Sequence, residues 1–165
     1  MKIRQAVESD ASEMVKLFQQ LDSETAFMMM EPGEREVSIE TQSERIKSFN
    51  EDHGKLMAVA QTDNMLVGFI VACCGSANRT RHSAYMVIGV ARAHWGKGIG
   101  NSLIEFMEAW AKSASIHRIE FTVVEANTSA RFLYRKCGYV EEGIKRDSLK
   151  VDGEYVNEIY MSKLF

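Results

Sequence analysis

Apolar and polar residues alternate along "KIRQAV", which predicts a strand at the start of the chain. In "ESDASEMVKLFQQLDSE" the period changes. Met14, Leu17, Phe18 and Leu21 recur at helical spacing, and Ser9 or Asp10 stands where a cap is needed. "TAFMMMEPGE" is apolar until the sole proline, Pro32, and Gly33, so it reads as a loop or a broken helix. "SIETQSERIKSFNEDHG" predicts a second helix closed by Gly54. The pattern then changes: "KLMAVAQT" and "LVGFIVACC", joined by a turn at "DNM", read as a hairpin, and "HSAYMVIGVA" reads as another strand. A third helix follows, with Leu103, Ile104, Met107, Ala111 and Ala114 on one face. "HRIEFTVVE" is a strand with Ile119, Phe121 and Val123 on one side. "NTSARFLYRKCG" is a short helix capped by Asn127 or Thr128 and ended by Gly138. The last segment is two strands turning at Asp152-Gly153, a dipeptide that tolerates the left-handed conformation a tight hairpin requires.

The order is strand, two helices, three strands, helix, strand, helix, two strands. It predicts a mixed α/β domain spanning residues 1–165 as one unit. Hydrophobic residues make up 45% and charged residues 26%, ordinary values for a globular chain. The net charge of −3 argues against a nucleic-acid partner, which would need clustered basic residues. The three cysteines, Cys73, Cys74 and Cys137, form no disulfide framework and suit a reducing, cytoplasmic setting. No apolar run approaches the ~20 residues of a membrane span, and the start lacks the apolar core of a signal peptide. No pair of histidines has metal-ligand spacing, so no metal is expected.

The candidate chemistry begins at "HWGKGIG". A strand, a glycine turn and a helix in succession expose unpaired amides at a positive dipole end, and glycine lets an anion approach them. A P-loop would need Ser or Thr after its lysine, yet Lys97 lies between two glycines. A dinucleotide fingerprint would need a third glycine where Asn101 stands. A plain turn with no ligand is the remaining alternative.

Residues 95–100, "WGKGIG", resemble the acetyl-CoA loop of the GNAT acetyltransferases, (Q/R)-x-x-G-x-(G/A). Gly98 and Gly100 match, and Trp95 departs from the first position. Further on, "NTSARFLYRKCGY" resembles the family's later motif, N-x-x-A-x-x-x-Y-x-K-x-G-F, through Asn127, Ala130, Tyr134, Lys136 and Gly138, with Tyr139 replacing Phe. The resemblance implies a central, mostly antiparallel sheet of about seven strands, splayed after the loop's strand and flanked by about four helices. It implies acetyl-CoA as co-substrate and N-acetyl transfer to a primary amine. The acceptor would be a polyamine, amino acid, amine antibiotic or protein N-terminus. A non-catalytic CoA-binding or sensing module is the alternative. Monomer and homodimer are both open.

On this resemblance the pyrophosphate of CoA rests on Trp95, Gly96, Lys97, Gly98, Ile99 and Gly100, and the pantetheine arm pairs with the backbone of Ile88, Gly89 and Val90. Asn127, Ala130, Tyr134 and Lys136 would complete the cofactor side, with Tyr134 as the acid for the leaving thiolate, a phenol at ~10 facing a thiol at ~8.5. The attacking ammonium must first lose a proton. His82, with an ordinary value of ~6.5, and Glu125 are the candidate bases. Phe27, Met29 and Glu31, together with Glu125, would line the acceptor side, with Glu24 and Glu31 attracting a cation.

Overall fold

The N-terminal alternation forms β1 (Lys2–Gln5), and two helices follow, α1 (Ala11–Glu24) and α2 (Ile39–Asn50), in a computed structural model that describes residues 1–165. Next come β2 (Lys55–Thr62), β3 (Met65–Cys74), β4 (Ser83–Val90), α3 (Ile99–Ser113), β5 (Arg118–Val124), α4 (Thr128–Lys136), β6 (Val140–Val151) and β7 (Glu154–Leu164). The methionine-rich segment between α1 and α2 is a loop.

Local details explain the boundaries. The β2–β3 turn puts Asp63 and Asn64 at positive φ, and the β6–β7 turn does the same with Asp152 and Gly153. Asn127 caps α4, its side chain accepting the Ala130 amide at 3.2 Å, and Gly138 ends that helix at φ +88°. Three expectations need correction. Asp10 precedes α1 but does not cap it; its carboxylate instead accepts the Val7 amide at 2.8 Å and the Arg4 guanidinium at 2.6 Å. α2 stops at Asn50, and Gly54 belongs to a later turn in which its amide donates to Asp52. Ala114 lies just past the end of α3 and is exposed.

All seven strands join one sheet in the order β1-β2-β3-β4-β5-β7-β6, and only β4–β5 is parallel. Two cores flank it. One packs α3 and α4 on one face, with Leu103, Ile104, Met107, Met86, Ile119 and Phe121 buried. Each such side chain contributes about 2 kcal/mol by leaving water. The other packs α1 and α2 on the opposite face, with Met14, Leu17, Leu21, Met57 and Phe69.

Two consequences position the site. β4 pairs with β5 only over Ser83–Tyr85, opposite Arg118–Glu120, and the strands part beyond Tyr85. The second core draws its strand residues from β2 and β3, so the same face of β5, β7 and β6 is bare. Tyr85, Val87 and Tyr160 are 42%, 45% and 45% exposed there.

Candidate active site at the parted strands

The glycine loop bridges β4 and α3. Arg92–His94 make one 3-10 turn, and the Trp95 indole N–H donates to the Val90 carbonyl at 2.6 Å. Gly96 and Gly98 then adopt φ +72° and +79°. A side chain there would meet no protein atom within 4 Å. These glycines are therefore needed for conformation, and the space over them is open. Gly100 differs. A Cβ on it would come 2.8 Å from Leu133 Cδ2, so its lack of a side chain lets α4 approach α3. Ile99 is buried in the first core and can offer a ligand only its backbone, whereas Trp95 and Lys97 are exposed. The amides from Gly96 to Asn101 donate to nothing within the chain, the first α3 bond being Ser102 N–H to Gly98 O. Together they make a concave row of donors at a helix N-terminus.

The register of β4 sorts its backbone groups. Ala91 N–H donates to Val67 O, which makes Phe69–Gly89 the next hydrogen-bonded pair of the antiparallel ladder. Gly89 thus spends both its groups on β3, contrary to the expectation that it serves a ligand. Its missing side chain has another cause: a Cβ would stand 2.7 Å from the Phe69 ring. Ile88 and Val90 alternate with Gly89 and turn their groups into the gap left by β5. The Val90 carbonyl is the one taken by Trp95.

α4 supplies Tyr134. Its ring is buried against Phe121, with centroids 4.4 Å apart, and near Tyr139 at 6.4 Å. Burial pushes the phenol well above its ordinary value, aided by the neighbouring Cys137 and Tyr85, so it keeps its proton. Ala130 is partly buried one turn earlier, and Lys136 is exposed at the helix end.

The proposed base His82 is not brought to this place. It is exposed at the closed end of the β4–β5 pair, its carbonyl accepting the amides of His117 and Arg118 and its ring 6.3 Å from that of His117. The strands part three residues later, about 10 Å along β4. Glu125 lies beyond the other end of β5, in a pocket of about 370 Å³ with Asp147, Tyr155 and Asn157. Its carboxylate accepts the Asn157 amide at 2.9 Å.

Phe27, Met29 and Glu31 are exposed on the α1–α2 loop, while Met28 packs on the second core. Arg35 anchors the loop through a bidentate pair with the buried Asp22 at 2.6 and 3.1 Å. The Glu24 carboxylate is engaged within the chain, accepting the Arg92 backbone amide at 2.7 Å and the Gln20 side-chain amide at 2.7 Å, while its backbone carbonyl accepts the Arg92 guanidinium.

Sequence reasoning missed one cluster. On the bare face, the Tyr85 hydroxyl lies 2.9 Å from Thr122 Oγ1, which donates to Glu158 at 2.6 Å. Lys145 reaches the other Glu158 oxygen at 3.2 Å. These residues come from β4, β5, β7 and β6, and no local pattern joins them. No group of three or more metal-ligating side chains gathers anywhere, the cysteines are free, and no helix is long and apolar enough to cross a membrane.

Known proteins are similar to this chain. Streptothricin acetyltransferase of Escherichia coli is 38% identical over 74 residues, which are 45% of this chain and 42% of that protein. Spermidine N(1)-acetyltransferase of Vibrio cholerae is 27% identical over 110 residues, 66% of this chain and 62% of that one. The chain thus spans about half the length of the curated relatives it matches. The crystal structure of an acetyltransferase of the GNAT family from Streptococcus pneumoniae superimposes with a TM-score of 0.96 at 25% identity, covering 99% of both chains. The family model described as Acetyltransferase (GNAT) family matches residues 15–139. That span runs from α1 through the glycine loop to Tyr139 and covers most of the sequence, so the chain belongs to the acetyltransferase (GNAT) family.

Proposed function

We propose that residues 1–165 form one N-acetyltransferase domain that moves the acetyl group of acetyl-CoA onto a primary amine by direct attack in a ternary complex. The observation that carries this reading is the open row of unpaired amides over Gly96 and Gly98, adjoining the gap where β4 parts from β5. The row fits a pyrophosphate, and the gap-facing groups of Ile88 and the N–H of Val90 fit the amides of a pantetheine arm. Acetyl-CoA supplies an activated thioester. The chain's residues do the rest. The amides of Gly96–Asn101 hold the diphosphate, and Asn127 and Ala130 border the arm. As the C–N bond forms and the C–S bond breaks, the proton lost by the amine passes to water at the open gap, CoA leaves as the thiolate, and Tyr134 presents a protonated hydroxyl that stabilises the developing thiolate by a hydrogen bond.

The acceptor is a small amine. Two relatives are named for streptothricin and spermidine, and the bare sheet face, flanked by the loop carrying Phe27, Met29 and Glu31, gives it a place to approach. Glu125, beside its 370 Å³ pocket, lies just past the end of β5. The test is free-thiol release from acetyl-CoA across a panel of polyamines, amino acids, amine antibiotics and N-terminal peptides. Turnover on a small-amine class is expected. Acetyl-CoA binding without turnover on any amine would overturn catalysis in favour of a sensing module, and turnover on peptides alone would overturn the small acceptor.

A further inference from the structure

The hydrogen bonds of Tyr85 have only one consistent polarity. Thr122 N–H can only donate, and it points at the Tyr85 oxygen from 3.2 Å. Glu158 is 6% exposed. Burial raises its carboxyl, but the Thr122 hydroxyl, the neighbouring Ser148 hydroxyl and the Lys145 ammonium together outweigh this and lower it, and with Lys145 at 3.2 Å it is ionised and only accepts. The Thr122 hydroxyl proton therefore goes to Glu158, at 2.6 Å. Thr122 Oγ1 then has no proton left, so the Tyr85 hydroxyl donates to it across 2.9 Å. With its proton committed and one lone pair taken, Tyr85 keeps a single free lone pair, on a side chain that is 42% exposed.

The location is as specific as the polarity. Tyr85 is the last β4 residue paired with β5, so its hydroxyl spans the point where the strands part. Phe121, which carries the Tyr134 ring, precedes Thr122 on β5, and successive strand residues face opposite sides. Tyr134 and Tyr85 thus address the same level of the sheet from opposite faces.

We infer that Tyr85 is a positioning residue that accepts an N–H of the attacking amine, held as an obligate acceptor by Thr122 and Glu158. The inference rests on the acetyl transfer proposed above. One N–H bonded to Tyr85 fixes the nitrogen at the bare-face mouth of the gap and leaves its lone pair for the carbonyl carbon. The acceptor must therefore carry at least one N–H beyond the proton lost on attack, which selects primary amines over secondary ones.

The test measures kcat and KM for the best amine of the panel, with acetyl-CoA affinity by calorimetry and the melting temperature as controls. Tyr85→Phe is expected to lower kcat/KM for the amine about tenfold, the worth of one well-placed hydrogen bond, with acetyl-CoA affinity unchanged. Thr122→Val should do the same, because it frees the Tyr85 proton. Thr122→Ser should restore wild-type values. Tyr85→Phe within twofold of wild type would overturn the inference, and so would a Thr122→Ser variant as weak as Thr122→Val. A matching loss of acetyl-CoA affinity would overturn it too, by assigning the cluster to the architecture of the gap. If the wild-type protein transfers acetyl to no amine, the proposed activity itself falls and takes this inference with it.

Discussion

Tyr134→Phe removes one oxygen and leaves the ring. The ring accounts for the packing, at 4.4 Å from Phe121 and 6.4 Å from Tyr139. No hydrogen bond within the chain holds the hydroxyl; its proton affinity is set by burial and by neighbouring charge alone. Its loss should therefore change stability by less than about 1 kcal/mol, a shift of at most about 4 °C in melting temperature for a chain of this size. Catalysis should respond very differently. A hydrogen bond to a developing thiolate is worth about 1.5–3 kcal/mol, which corresponds to a loss of about 10- to 150-fold in kcat. Acetyl-CoA affinity should stay the same, since the bond strengthens only as the sulfur gains charge. Burial holds the phenol far above its ordinary value, so the acid form persists and Tyr134 should add no falling limb to kcat below about pH 10. The assay is thiol release at saturating acetyl-CoA and amine, beside calorimetry and thermal unfolding. A kcat within twofold of wild type in a folded Tyr134→Phe protein would refute the reasoning.

Three further outcomes follow from the geometry. Gly98→Ala should cost about 1–2 kcal/mol of stability, because residue 98 sits at φ +79°, and Gly98→Asp should also weaken acetyl-CoA binding at least tenfold by setting an anion on the phosphate row; unchanged affinity in a calorimetric titration would contradict that use of the loop. Asn127→Ala should cost about 1 kcal/mol through loss of the α4 cap, read as a fall of about 2–4 °C in melting temperature. The Arg4 hydrogen bond holds Asp10 below the usual carboxylate range, so its stabilisation is present above about pH 4 and is lost as pH falls through the lower folded value; urea midpoints measured from pH 5 to 2 should fall less steeply in Asp10→Asn than in wild type.

How far these features were legible depends on how local their causes are. The strand period of Ile119, Phe121 and Val123, the cap at Asn127 and the turn at Asp152-Gly153 each rest on a few neighbouring residues, and each forms as read. The glycines of the loop were legible as glycines, but not by cause. Gly96 and Gly98 answer a backbone conformation, whereas Gly100 answers Leu133, a residue 33 positions away on another helix. Gly89 similarly answers Phe69. His82 was misplaced because the point at which β4 leaves β5 is set by a three-residue parallel pairing that no local pattern records. Tyr85, Thr122 and Glu158 look like ordinary strand residues one at a time. Only the order β4-β5-β7 brings them into contact across separations of 37 and 36 residues.

The central claim is that the amides over Gly96 and Gly98 form the seat of a CoA diphosphate. A calorimetric titration of the purified protein with acetyl-CoA, repeated with S-acetylpantetheine, the same thioester arm without the diphosphate, tests it most directly. The account predicts micromolar binding of acetyl-CoA, corresponding to about −8 kcal/mol, and loss of most of that affinity for the truncated thioester. Equal affinity for the two, or no binding of acetyl-CoA, would contradict it.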